Sequence, residues 1–379
     1  MQNLRERPVV WISSLLLFLV LWLRLLMVPW TNHDIDIFLR WIDYIETHGY
    51  ITALRDNFSN YPPAYLYLLS FVTFLLGGVS KMAVIKLIPL IFDLYAAFII
   101  FKIARLKFPH DDRPFLLAAI FFGLPTVMIN SSAWGQIDML YGAFLLTCVY
   151  FLLVERPFWA MCAFAVGFSF KSQSIFLLPF LGILALKGRM RWQYFLVVPL
   201  LYILLAIPLA LIGRPWPDIL TIYINQVSQY HLLSVNAPNL YIFFNEANYE
   251  TGVAVGMLIA LLALAVWAFM SLRSKAAIDK PAISLLALTA VTLVPFVLPK
   301  MHERYFYPAD ILSFVAAIFL PELWFVPLLY QVISGLAYGR FLLNTTALPT
   351  MVAAIINTVT LGFLLWKQYQ FSYRENKHE

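Results

Sequence analysis

Of the 379 residues, 62% are hydrophobic and only 12% are charged, and the mean hydropathy is +0.80. Soluble domains carry about a quarter charged residues, so this chain holds more apolar side chain than a globule of its size can bury, and lipid must be its main solvent. The net charge of +6 comes with no phosphate-loop, zinc-protease or nucleic-acid signature, and Cys148 and Cys162 lie in apolar runs without disulfide or metal spacing.

A short basic segment with Arg5 and Arg7 precedes about 22 mostly apolar residues, Val9 to Trp30. The run ends in Val28-Pro29-Trp30, not in the small residues of a signal-peptide cleavage site, so an uncleaved first span over 8–30 is expected. Further apolar runs able to cross or nearly cross a bilayer core of about 30 Å lie at 61–77, 82–101, 114–130, 138–154, 157–170, 173–187, 193–212, 250–272, 282–299, 305–320, 323–338 and 347–366.

Lysine and arginine set orientation. One alternating set of links, from Arg5 and Arg7 through Arg105, Arg156, Arg189 and Arg273 to Lys377, holds 16 of the 26 basic residues, which places both termini on the cytoplasmic side. Two cytoplasmic ends need an even number of crossings, and thirteen runs are odd. The weakest, 61–77, opens with Tyr61-Pro62-Pro63 and reads as re-entrant. The expectation is an all-α, polytopic integral membrane protein of about 12 transmembrane helices (11–13). It forms one transmembrane domain over 1–379 without a separate soluble domain, with a first outer loop at 31–60 and a long outer loop at about 213–245. Sequons at Asn57, Asn130 and Asn344 read as chance matches.

After Trp30, apolar residues recur at Ile35, Phe38, Trp41, Ile42 and Ile45 with charges between them. That spacing predicts an amphipathic helix on the outer surface, with Asp34 as N-cap and Gly49 as stop. Two readings of Asp34 stand at this point, a cap or a reactive carboxylate favoured by the helix dipole. Polar residues cluster again at Asn130–Asp138, at Lys171-Ser172-Gln173 and at His302-Glu303-Arg304, all on the expected outer side. Asp138 and Gln136 either mark an interface or belong to a site. Lys171 and Gln173 sit between two short apolar runs, where a charge is costly and faces the protein interior. Arg24 and Asp93, inside apolar runs, are expected to form a buried structural pair. The His302-Glu303-Arg304 run is either a site element or an interfacial belt with Tyr305 and Tyr307.

The strings "HDIDIFLRW", "YPPAYLYLL", "KLIPLIFDLYAAFII", "NSSAWGQIDMLYGAFLL", "KSQSIFLLPFLGILAL", "NAPNLYIFF" and "MHERYFYPADIL" occur in this order over most of the chain. As an ordered set they resemble prokaryotic relatives of the GPI-anchor mannosyltransferases, within the GT-C class of membrane glycosyltransferases. Family members often carry Pro at the position of Ser172 and Val or Phe at that of Ile137; neither departure removes a reactive group. The resemblance implies a GT-C-like fold and an inverting glycosyltransferase at the outer face of a prokaryotic plasma membrane. Its donor is a polyprenyl-phosphate-linked sugar, mannose favoured, and its acceptor is a hydroxyl of a lipid-linked compound or glycan.

In such enzymes a first-loop acid is the general base, and the spacing to Phe38 and Trp41 selects Asp34 over the second acid, Asp36. A hydroxyl nucleophile needs a carboxylate in hydrogen-bond reach, and a departing phosphate needs fixed cationic donors. Arg304 and Lys171, assisted by His302, are assigned to that phosphate, the Arg fork matching phosphate oxygens best. Asp138, Gln136, Asn239, Gln173 and Glu303 form the expected sugar and acceptor set, with Trp134 stacking on a sugar face. No cofactor is required; a divalent metal could bridge Asp34 and Asp36, but Arg and Lys alone can serve phosphate release. Membrane lipids are expected partners and nucleic acid is not. A secondary transporter or lipid flippase is the chief rival, yet the chain lacks the internal symmetry common in such folds. A non-catalytic scaffold would not need an acid, a lysine and a His-Glu-Arg run on one face.

Overall fold

The computed structural model describes residues 7–76, 78–227, 230–244 and 248–374. Arg5, Lys377 and positions 228, 229 and 245 of the long outer loop, all used above, lie outside the described residues. In chain order the helices are α1 (Pro8–Leu26), α2 (His33–His48), α3 (Pro63–Leu75), α4 (Lys81–Lys107), α5 (Arg113–Phe122), α6 (Pro125–Met128), α7 (Asp138–Leu153), α8 (Pro157–Phe170) and α9 (Leu178–Leu186). There follow α10 (Val197–Leu211), α11 (Trp216–Leu220), α12 (Ile222–Val227), α13 (Tyr249–Arg273), α14 (Lys280–Val297), α15 (Tyr307–Phe319), α16 (Val326–Leu342) and α17 (Leu348–Arg374). Two-residue strands β1 (Ser234–Val235) and β2 (Met301–His302) pair in parallel.

Each of the thirteen apolar runs contains helix among its described residues. Seven of the described helices are long and apolar enough to cross a membrane, among them α1, α4, α13, α14 and α17. An eighth candidate is the pair α5 and Pro125–Ala133, bent by 50°. Five are shorter: α3, α7, α8, Ser172–Leu186 and α15. At 13 residues, α3 reaches only about 20 Å at 1.5 Å per residue, less than the hydrocarbon thickness.

The burial pattern of α1 shows which solvent this fold suits. Its buried residues are Ser13, Val20 and Arg24, while Trp11, Leu15, Phe18 and Trp22 lie outside. A helix in water does the reverse. With lipid outside, the polar residues must find partners inside the protein.

The chain divides into two compact units, Met1–Tyr150 with Met161–Ser172 and Phe195–Ser228, and Phe151–Ala160 with Gln173–Tyr194 and Gln229–Glu379. In the first unit, Ile35, Phe38, Trp41, Ile42 and Ile45 of α2 are all buried, against Tyr65 and Leu69 of α3, Ile85 and Ile88 of α4, and Ile137 and Leu140. The expected amphipathic helix is therefore present, but its apolar face packs on protein helices instead of lying on the membrane surface. A second correction concerns its start. Asn32 is the N-cap, its side chain accepting from the N–H groups of Asp34 and Ile35. Asp34 is inside the first turn and is released from capping. Gly49, at φ +90°, stops the helix as expected. In the second unit, α13 and α17 both pack on α14, and α15 and α16 continue the bundle.

Candidate functional site

The first unit builds a carboxylate site from the segment that follows α5. Gly123 and Pro125 interrupt the helix, and a π-helical turn, Ile129–Ala133, carries the chain onward. Gly135 then takes φ +76°, a left-handed conformation that costs an L residue free energy. A Cβ there would meet Ile35 Cγ1 at 3.1 Å. This turn sets Trp134 and Gln136 against the start of α2. The indole N–H of Trp134 donates to Asp34 Oδ2 at 2.8 Å, and the Gln136 amide donates to the same oxygen at 2.5 Å. Asn32 closes the arrangement by donating to the Trp134 carbonyl at 2.9 Å.

Asp34 is half-buried, and its second oxygen, Oδ1, accepts no hydrogen bond from the described residues. The carboxylate thus has one oxygen fixed by two donors and one oxygen open to a ligand. That is an arrangement able to take a proton from a bound hydroxyl. Asp36 is exposed, and no bond of its side chain is formed among the described residues. Residues i and i+2 of a helix do not share a face, which argues against a metal held between Asp34 and Asp36. Among the described residues no group of three or more His, Cys, Asp or Glu could hold a metal ion.

Two buried cations support this turn. Arg24 is 1% exposed and donates to Asp93 Oδ2 at 2.6 Å, to Ser131 and Ser132 at 2.8 and 3.0 Å, and to the Phe122 carbonyl at 2.7 Å. The expected Arg24–Asp93 pair forms, and it also clamps both sides of the 50° bend. Lys86, inside the apolar run at 82–101, is buried within α4. Its amine donates to the carbonyls of Met27 and Trp30 at 2.8 and 2.7 Å, and to that of Ala133 at 3.3 Å. It thereby satisfies carbonyls where α1 and the π turn end.

Asp138, assigned to sugar, and Lys171, assigned to phosphate, are paired with each other. Both are buried, and Asn130 donates to the second oxygen of Asp138 at 2.8 Å. Each charge spends itself on the other, so neither expected ligand role follows from the geometry. Trp134, assigned to a sugar face, is fully buried and holds Asp34.

In the second unit, the β1–β2 pair joins Ser234 to Met301 and Val235 to His302, and the Glu303 N–H donates to the Val235 carbonyl. Arg304 Nε donates to Glu303 Oε1 at 3.1 Å, and His302 lies 3.9 Å from the other Glu303 oxygen. The His302 ring packs near Tyr230 and Tyr305, with centroids 4.9 and 5.0 Å away. Glu303, 3% exposed, contacts both of its neighbours. Asn239, expected at a sugar, is fully buried. Its amide donates to the Leu298 carbonyl at 3.1 Å while its oxygen accepts from the Tyr241 N–H, so it latches the loop to the end of α14. Gln173 is 6% exposed, and its Oε1 has no partner among the described residues.

Sequence reasoning missed Asn32, Asn130 and Lys86. Lys86 carried a usable signal, a lone lysine inside a long apolar run. Asn130, placed in the Asn130–Asp138 polar cluster without a role of its own, stands eight residues before the carboxylate it bonds.

Helices long and apolar enough to span, with large apolar side chains outside and charges paired inside, define an all-α, multi-pass membrane protein. No protein-family model and no curated protein matches the chain.

Proposed function

We propose that the chain is an inverting, GT-C-like glycosyltransferase that moves a sugar, mannose favoured, from a polyprenyl-phosphate donor to a hydroxyl. The observation that carries this reading is the Asp34 carboxylate, fixed through one oxygen by Trp134 and Gln136 and open at the other. Each of these three residues lies in a string that resembles the family. Asp34 is the base: its free oxygen takes the acceptor proton as the hydroxyl oxygen attacks the anomeric carbon and the phosphate leaves. Arg304, held through Nε by Glu303, is the cation assigned to the donor phosphate, with His302 beside it. Lys171 is withdrawn from that role because it neutralises Asp138. About twelve crossings, both termini cytoplasmic and chemistry at the outer face of a prokaryotic plasma membrane belong to the same reading.

The test is reconstitution of the purified chain with a panel of polyprenyl-phosphate sugars and acceptors, following sugar release and transfer. Asp34→Asn keeps the shape and loses the proton acceptor, so its rate should fall by about 10²–10⁴. Equal rates for Asp34→Asn and wild type would remove Asp34 from the mechanism. Movement of an intact sugar lipid across the bilayer, without transfer, would favour a flippase instead.

A further inference from the structure

Along one side of the second unit, α13 and α17 both pack on α14 and leave a groove of about 970 Å³ between them. Ile259, Leu262 and Val266 of α13, Leu365 of α17 and Leu293 of α14 line its length. A polar rung crosses it, in which the Trp267 indole N–H donates to Gln368 Oε1 at 2.9 Å and Gln368 donates to Ser271 Oγ at 2.8 Å. Beyond the rung, Arg273, Ser274 and Lys275 close one end. From Ile259 to Arg273 the groove follows α13 for fourteen residues, about 21 Å at 1.5 Å per residue. That exceeds one leaflet's share of a hydrocarbon core of about 30 Å.

The charge at the closed end is one-sided. Among the described residues no Asp or Glu lines the groove. Neither Arg273 nor Lys275 forms an ion pair among the described residues, and both side chains are exposed. Arg273 instead stands over the Phe269 ring at 5.1 Å, which holds the guanidinium at the rim. Apolar walls one leaflet long that end in two cations without an ion-pair partner among the described residues match a lipid whose chains fill the groove and whose phosphate meets the rim. A neutral transmembrane helix from another protein would leave both charges unmatched.

We infer that this groove is a binding site for an anionic phospholipid, with the headgroup phosphate on Arg273 and Lys275. The site is separate from the His302–Arg304 cluster. Tyr241, which follows the Asn239 latch, bonds to the Gly256 carbonyl near the other end of α13, seventeen residues and about 25 Å from Arg273. The positive-inside distribution of basic residues puts the Arg273 end at the cytoplasmic leaflet, where anionic headgroups and basic pockets between helices meet. A lipid here would bridge α13 and α17 and favour the bundle over its opened form by mass action.

The test uses the full chain in phosphatidylcholine vesicles doped with brominated phosphatidylglycerol or brominated phosphatidylcholine. Quenching of Trp267 is read as the difference between wild type and Trp267→Phe. Each basic side chain at an anionic surface favours binding about fivefold, and the two together about 25-fold, so half-quenching should need a roughly 25-fold lower mole fraction of the glycerol lipid. That preference should disappear in the Arg273→Gln/Lys275→Gln double variant. Equal quenching by both lipids would mean ordinary annular lipid and overturn the inference. Protection from both lipids would show the groove filled by protein and overturn it as well. As a check independent of Trp267→Phe, native mass spectrometry of the detergent-released chain should show phosphatidylglycerol bound to wild type and depleted in the double variant. Equal occupancy in the two would overturn the inference by itself.

Discussion

Trp134 donates its indole N–H to Oδ2 of Asp34 across 100 residues of sequence, at 2.8 Å. The bond joins the first helix after α1 to the turn after a broken span, so a local carboxylate becomes a tertiary feature. Gln136 repeats the contact from the same turn at 2.5 Å. Their common acceptor leaves the other oxygen of Asp34 for a ligand, and that asymmetry makes the site testable.

Trp134→Phe and Gln136→Ala should each slow sugar transfer by about 10–100-fold, since a hydrogen bond to a charged group contributes about 1.5–3 kcal/mol. If both residues act by holding the base, kcat falls and KM changes little. Steady-state transfer with polyprenyl-phosphate mannose measures both constants. A rise in KM alone for Trp134→Phe would return Trp134 to the sugar-stacking role.

Lys171→Met should destabilise the protein by about 3–5 kcal/mol, because it strands the buried Asp138 charge. Adding Asp138→Leu should recover most of that loss, since buried pairs are often replaceable by apolar residues of similar volume. Urea or thermal unfolding of the three variants in one detergent closes the cycle. A stable, inactive Lys171→Met would instead point to a ligand for the lysine.

The Asn32 side chain performs two tasks, capping α2 through its oxygen and fixing the Trp134 carbonyl through its amide. Asn32→Ser keeps an oxygen for the cap and loses the amide, whereas Asn32→Ala loses both. Melting temperatures should therefore fall in the order wild type, Asn32→Ser, Asn32→Ala, with the cap alone contributing about 0.5–2 kcal/mol. Identical melting of the wild type and both variants would show that neither bond stabilises the native chain.

Hydropathy made the helices legible because in lipid every backbone group must be satisfied within a helix, and that demand writes itself as long apolar runs. The amphipathic period of α2 was equally plain. Its surroundings were not, because the residues that cover Ile35 and Ile42 come from α3, α4 and α7, and no local pattern specifies that contact. The Arg24–Asp93 pair could be foreseen since two opposite charges in apolar runs have few other options. The same logic, applied to Lys171, would have suggested a carboxylate partner such as Asp138. Asn239 looked like a ligand group because its string lies in a polar loop, yet its amide is spent on backbone that only the folded chain brings near.

Gly135→Ala is the sharpest local probe of the site. At φ +76° an L residue costs roughly 1–2 kcal/mol, and the new methyl would sit 3.1 Å from Ile35 Cγ1. Ile35 is fully buried and cannot withdraw into solvent, so the turn itself must give. Trp134 and Gln136 flank Gly135, and both donors to Asp34 would shift together. The expected outcome is a loss of transfer larger than in either single donor variant, alongside a modest fall in melting temperature. Assaying transfer and thermal stability on one purified Gly135→Ala preparation separates the two effects. Wild-type rate and stability together would show that the turn tolerates a side chain and that Asp34 does not depend on its geometry.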